Sequence, residues 1–483
     1  MKKISLLYTE EKAPQRMRRS SKTIYDLSLD RITELTSASK RERNYFLEVL
    51  TEVQEDTANA THRSEILKDF LNIPELLDGM TQIFRGYDNL PSETAETLAE
   101  IFRYGLPTSA DAMLDAAYEE LYINAHYARN VIAYLGELDR LLEKYPVKSK
   151  ALTEMKELCK TLSGNESIRE AEKAAEEFRN ETADKYSFTF NAKLDKGMRL
   201  IKASLASVTD PKKAKKTGFP GFHKKKRNPK ADIGNSASDC VQTALANAMS
   251  EASSLFSGIA GAIYEIFSKI GKELTFFRVA SDLAKVLKEH GVNITFPELC
   301  GTEEDILRAE GLTDILLLTE GKNASDIVTN TIDVNRSALI RGENNCGKTS
   351  FLRAVGTAAF FAQSGLFVCA KSMSYSPRKS ILTHFSAAEK EFGQNDEAGR
   401  FEGEVQEITE ILDNIQPHSL VLLNETFQTT AYREGATGMK DILCILDRIK
   451  CRYLFVSHMK LLFEIMQNEN VKQLTAVGYR LSE

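Results

Sequence analysis

The sequence predicts an α/β nucleotide-binding domain over residues 291–483, C-terminal to a mainly α-helical region that carries a small β element. Three observations predict it. Residues 342–349 read GENNCGKT, the G-x-x-x-x-G-K-[ST] spacing of a phosphate-binding loop, with a short apolar run (Ser337-Ala-Leu-Ile340) before it and a helical pattern over 350–361 after it. From Gly291 onward, short apolar runs alternate with helical stretches, as in a parallel sheet covered by helices. From Tyr25 to Leu162, apolar residues instead recur every three or four positions with few glycines, the period of packed helices.

The elements follow in order. Residues 1–20 hold a strand-like stretch, Ile4-Ser-Leu-Leu-Tyr8, and a basic, proline-containing segment. Residues 21–290 form the helical region. Asn89-Leu-Pro-Ser-Glu93 and Gly105-Leu-Pro-Thr-Ser109 interrupt it and supply caps for the helices that follow. A strongly charged helix is expected between Glu166 and Asp184. Within 186–235 lies the small β element: Tyr186-Ser-Phe-Thr-Phe190 alternates with period two, and residues 199–205 are a partner strand across Asp195-Lys-Gly197. It is followed by a loop over 212–230 with nine Lys or Arg residues and no acid. Lys212, Lys213, Lys215, Lys216, Lys224, Lys225, Lys226 and Arg227 make this a candidate phosphate-backbone contact, the alternative being a solvated loop with no partner. An Ala- and Ser-rich amphipathic region from Ala237 to about Glu289 is the second helical stretch.

Composition narrows the class. Seven cysteines are scattered without a C-x-x-C pair, which argues for reduced thiols in a cytoplasmic protein and against a zinc site or disulfide framework. The N-terminus has no long apolar run and no eighteen consecutive apolar residues occur, so neither a signal peptide nor a membrane span is supported. The net charge of −6 does not speak about nucleic acid, because the distribution of charge matters more.

The chemistry lies in the C-terminal part. Gly342 and Gly347 let the backbone turn tightly so that the N–H groups of the loop, including Asn344, Asn345, Cys346 and Ser350, face phosphate oxygens. Lys348 reaches the β- and γ-phosphates, and the Thr349 hydroxyl ligates Mg²⁺. Cys346 is a small filler in the loop or, alternatively, an oxidisable thiol. Residues 419–427 (SLVLLNETF) form a buried strand ending in polar residues, where a second phosphate-site motif belongs. Glu425 is placed to polarise an attacking water, and Asn424 takes the place usually held by a metal-supporting aspartate. A third apolar strand, residues 452–458, ends in His458, positioned to sense the γ-phosphate. Between them, residues 395–408 lead into a helix whose start faces a nucleotide on a second subunit or is an acidic surface turn.

In this order, the motifs resemble the MutS family of DNA mismatch-repair ATPases. Asn330, in Ile327-Val-Thr-Asn330, matches the family's asparagine before the first strand, which implies an adenine contact. Residues 362–370 (AQSGLFVCA) resemble the family's A-Q-x-G-x-x-V-P-A. Residues 399–404 (GRFEGE) correspond to the S-T-F-x-x-E signature, with Gly399 where a serine would reach the partner's γ-phosphate and Arg400 beside it. The D-E pair is Asn424-Glu425, and the T-H switch is Ser457-His458. Residues 61–76 look like the opening of the family's helical core, and 281–287 with 294–297 like its return to the ATPase. The resemblance implies an ABC-type P-loop ATPase behind a helical core and lever domain, using ATP and Mg²⁺. It further implies a homodimer holding double-stranded, distorted or branched DNA between helical arms. No segment matches the family's mismatch-reading or connector modules, so binding to DNA shape is expected rather than the reading of mismatches. The Gly399 and Asn424 departures open a different expectation, a slowly hydrolysing nucleotide gate acting on RNA, a ribosome or a protein partner.

Overall fold

The computed structural model describes residues 4–9, 21–52, 57–101, 103, 106–177, 187–194, 200–209, 235–333, 337–386, 397–427, 432–467, 469, 471–477 and 480–482. These residues form two compact units. One comprises residues 1–4, 75–147 and 152–271; the other comprises residues 5–74, 148–151 and 272–483.

The first unit is built on two long helices packed together, Ala110–Lys144 and Asn235–Phe267. At 1.5 Å per residue each is about 50 Å long. Ser109 starts the first by accepting a hydrogen bond from the Ala112 N–H, as its place after the Gly-Leu-Pro break predicts. The apolar stripe of that helix runs through Leu121, Ala128, Val131, Leu135, Leu138 and Leu142. Within it one polar pair is buried, the Asn124 amide donating to Ser253 Oγ at 2.8 Å. The charged helix expected after Glu166 spans Glu166–Glu177. The expected β element is an antiparallel hairpin of β1 (Ser187–Leu194) and β2 (Leu200–Thr209). The basic loop, with Lys212, Lys213, Lys215, Lys216, Lys224, Lys225, Lys226 and Arg227, lies outside the described residues.

Among the described residues the second unit holds ten strands: β3 (Glu298–Leu299), β4 (Leu307–Leu312), β5 (Asn330–Asp333), β6 (Ala338–Gly342), β7 (Ser372–Tyr375), β8 (Ile381–Phe385), β9 (Leu420–Asn424), β10 (Arg452–Val456), β11 (Lys472–Val477) and β12 (Arg480–Ser482). A six-stranded sheet has the order β12-β11-β6-β10-β9-β8, parallel except for β12 at its edge. A smaller mixed sheet has the order β3-β7-β4-β5. The central strands β9 and β10 are buried on both faces, which is why they read as apolar runs. Leu339, Val421, Leu423, Tyr453 and Phe455 pack into one core with Met439 and Leu443 of the helix Tyr432–Arg448 and with Leu462 and Phe463 of the helix Lys460–Ile465. The helix Lys348–Gln363 packs on β6, β8, β9 and β10 and is buried nearly all round, so its Ala-rich, Phe-rich composition is apolar on every side.

The N-terminal residues depart from expectation. Ile4–Tyr8 is not a strand. Its hydrogen bonds are not those of a strand ladder: the Leu6 N–H donates to Glu273 Oε2 at 2.5 Å, and Arg63 Nε donates to the Leu7 carbonyl at 2.9 Å. Leu6 and Leu7 are both fully buried there. Residues 5–74 thereby fold into the same unit as the α/β residues that follow 272.

Candidate functional site

The site is organised by strand register. Ile340 of β6 and Asn424 of β9 both pair with Val456 of β10, so the three strands end in one row. The segments leaving that row carry Gly342–Thr349, Glu425 and His458. The carboxyl edge of a parallel sheet is where loops can surround a ligand while the strands fix their roots.

The loop has the geometry its sequence requires. Asn345 (φ 61°) and Gly347 (φ 83°) are left-handed, and Gly347 caps the helix Lys348–Gln363. A Cβ on Gly342 would stand 2.7 Å from the Ala476 carbonyl oxygen and 2.8 Å from Cys346 Sγ, so only glycine fits. Lys348 is 7 % exposed, and its ammonium donates to the carbonyls of Gly342 (2.9 Å) and Glu343 (2.7 Å). The lysine thus braces the loop from inside. Asn344 and Asn345 are exposed, while Cys346, Thr349 and Ser350 are half-buried. Cys346 Sγ lies 3.9 Å from the Lys348 ammonium, within the loop's own packing.

The Thr349 hydroxyl donates to Asn424 Oδ1 at 3.3 Å. This joins the two expected metal-supporting residues directly. The Glu425 N–H donates to the Val456 carbonyl (2.9 Å), and its backbone is left-handed (φ 55°), which turns the carboxylate back over the strand ends. Glu425 Oε1 lies 3.0 Å from His458 Nε2, and the Lys348 ammonium lies 3.4 Å from the same nitrogen. Burial pushes the Glu425 carboxyl up to about 7, with the Lys348 charge opposing. Burial, and then Lys348, hold the His458 imidazole below its ordinary value. At neutral pH the pair is therefore a neutral imidazole facing a carboxyl poised between its two forms. Glu425 Oε2 is buried and accepts no hydrogen bond, leaving a free acceptor at the strand ends.

Lys348, Thr349, Asn424, Glu425 and His458 therefore meet in one place. Asn330 opens β5 in the smaller sheet, half-buried and opposite Leu312. Gly399 and Arg400 lie in the first turn of the helix Glu397–Asn414, where the backbone alone is described. Two further residues hold the site and were not singled out from sequence. Glu404, in that same helix, accepts from the Phe427 N–H (2.9 Å) and from Ser386 Oγ (2.5 Å). Buried His384, in β8, contacts Thr426. Glu404 carried a signal as the acidic end of the GRFEGE segment; His384 carried only that of a histidine in an apolar strand.

The family model described as MutS domain V matches residues 338–480, a stretch that contains all five clustered residues. A DNA mismatch repair protein MutS from Clostridium kluyveri is 28% identical over 213 residues, 41% of this chain and 24% of that protein. A DNA mismatch repair protein Msh3 from Dictyostelium discoideum is 29% identical over 209 residues, 42% of this chain and 14% of that protein. A DNA mismatch repair protein MSH3 from Cryptococcus neoformans is 36% identical over 124 residues, 25% of this chain and 10% of that protein. The chain thus spans about a quarter or less of the length of these relatives. Over residues 338–480 the chain therefore carries a MutS domain V, and there it is similar to MutS and Msh3 proteins.

Proposed function

We propose that the chain is a MutS-like, ATP-dependent DNA-binding protein that hydrolyses ATP to ADP and phosphate on an ABC-type P-loop domain. The observation that carries this reading is the convergence of Lys348, Thr349, Asn424, Glu425 and His458 at the ends of three adjacent parallel strands. The loop fits a nucleotide's phosphates: Gly342 leaves room for backbone approach, and Lys348 is already desolvated and bonded at its base. Among the described residues no group of three His, Cys, Asp or Glu could hold a metal alone. Mg²⁺ would therefore be shared between the Thr349 hydroxyl, the Asn424 amide oxygen and the phosphates, and would neutralise charge on them. Glu425 accepts a hydrogen from the attacking water through its free Oε2, and His458 Nε2 stands between that carboxylate and the Lys348 ammonium. The adenine contact falls to Asn330, and the helix start at Gly399 and Arg400 faces a nucleotide across a homodimer. A shape-directed grip on distorted or branched duplex DNA falls to the helical arms and the 212–230 loop, in a cytoplasmic protein. Among the described residues no helix is long and apolar enough to cross a membrane.

The deciding experiment is ATP turnover by the full chain with and without branched and linear DNA. DNA-stimulated turnover supports the reading; nucleotide binding without turnover rejects it. A second reading, a nucleotide gate that hydrolyses slowly or not at all and acts on RNA, a ribosome or a protein, is favoured by Asn424. An amide offers Mg²⁺ a dipole where a carboxylate offers a charge. Asn424→Asp is accordingly expected to lower the Mg²⁺ concentration for half-maximal turnover on the order of tenfold, equivalent to about 1.4 kcal/mol of added attraction. An unchanged Mg²⁺ titration would remove Asn424 from the metal site. DNA affinity should also fall with salt. Replacing Lys212, Lys213, Lys215 and Lys216 by Gln should reduce the slope by about 0.9 for each phosphate that is no longer neutralised. An unchanged slope would leave the loop without a role in binding.

A further inference from the structure

Strands β8 and β9 end side by side, with Phe385 opposite Asn424. This brings His384, one residue earlier on β8, against the turn that leaves β9. Its ring is fully buried, and Nδ1 lies 2.8 Å from the hydroxyl of Thr426, which is equally buried. On the other side, Nε2 lies 3.0 Å from Glu407 Oε2 in the helix Glu397–Asn414, an electrostatic approach rather than a formed hydrogen bond. Glu407 is in turn ion-paired with Lys22 of the helix Ser21–Asp26. A carboxylate only accepts, so it favours the hydrogen on Nε2, and Nδ1 then takes the hydroxyl hydrogen of Thr426. Burial, and next the charge of Lys22, push the ring down to about 3, which keeps it neutral in this arrangement.

The turn it touches is strained. Glu425 (φ 55°) and Phe427 (φ 60°), on either side of Thr426, both adopt the left-handed backbone that side chains disfavour. Each such residue costs roughly 1–3 kcal/mol and persists only where its surroundings over-determine it. Three bonds do so here: Glu425 N–H to Val456 O, Phe427 N–H to Glu404 Oε2, and Thr426 Oγ1 to His384.

We propose that His384 is a positioning residue: through Thr426 it locks the turn that aims Glu425, with Glu407, itself paired with Lys22, facing its other nitrogen. The inference rests on the reading of Glu425 as the group that orients water. It adds a connection within one subunit. The helix Glu397–Asn414, whose first turn holds Gly399 and Arg400, reaches the Glu425 turn directly through Glu404 and faces His384 with Glu407.

The test uses the full chain with Thr426→Val, which keeps the shape and removes the hydroxyl, and with Thr426→Ser, which restores it. Amide hydrogen exchange at Glu425–Phe427 is measured without nucleotide, and turnover and ADP affinity are measured beside it. Thr426→Val is expected to speed exchange at these amides and to lower kcat, each by about tenfold, the effect of one lost buried hydrogen bond. ADP affinity should stay within about threefold, and Thr426→Ser should recover both quantities. Unchanged exchange in folded Thr426→Val protein would overturn the proposal. Wild-type turnover no higher than that of Lys348→Ala would instead sink the catalytic reading of Glu425, while the exchange data would still decide whether His384 positions the turn.

Discussion

Lys348→Ala is expected to remove ATP binding and to reduce turnover by at least 10²–10³-fold, roughly the cost of losing one preorganised donor to a transferring phosphoryl group. The lysine has two tasks. Its ammonium holds the carbonyls of Gly342 and Glu343 together, and it is the positive charge buried deepest in the cluster. Alanine leaves both carbonyls without a donor and the site without that charge. The loss in binding should far exceed the loss in fold stability. Glu343 is exposed and Gly342 half-buried, so water can replace the donor at the freed carbonyls. Titration with a fluorescent ATP analogue, next to a thermal melt, separates the two effects. Retention of wild-type affinity would mean that the nucleotide binds somewhere other than this loop.

Glu425→Gln should behave in the opposite way, retaining nucleotide while turnover falls by roughly 10²–10⁴-fold, the range for removing a general base. The wild-type carboxyl is pushed by burial from 4.5 to about 7, so the form able to accept a hydrogen from water accumulates as pH rises. Turnover should therefore climb through pH 7 and level off above it, and the residual rate of the variant should lack that rise. Stability moves the other way. Between 4.5 and about 7 the folded chain holds a proton on Glu425 that the unfolded chain has released. Stability must then fall as pH increases across this window, with the loss complete above it. Glutamine has no such charge to bury. The variant should melt higher than wild type at pH 8, and the difference should close below the ordinary carboxyl value. A constant difference across the whole range would mean that Glu425 is not the buried acid of this site.

The residues that were legible in sequence act through short-range physics. A phosphate loop needs glycines at two fixed places and a lysine beside the second. Gly342, Gly347 and Lys348 sit where those needs put them, because the steric and torsional demands arise within eight residues. The apolar runs before Asn424 and His458 were equally plain. A strand covered on both faces must be apolar throughout, and its polar end marks the sheet edge. The long helices of the first unit announced themselves by period, and Ser109 by its place after a break.

Other features depend on packing between distant parts of the chain. The stretch Ile4–Tyr8 has the composition of a strand, yet among the described residues it pairs with none, and Glu273 and Arg63, remote in sequence, bond to its backbone instead. The sheet order places β10 between β6 and β9, so Glu425 and His458 become neighbours across strands that are not consecutive in the chain. His384 shows in the sequence only as a histidine in an apolar strand, because its role depends on the register of β8 against β9 and on a carboxylate from a helix beyond them. By itself, the sequence determined the groups available to this protein: a loop with phosphate-binding spacing, a carboxylate, an amide where a charge is usual, and a histidine. Only the tertiary structure decided which of these groups share a site and how far burial shifts their protons, because both follow from which strands pair and what surrounds each side chain.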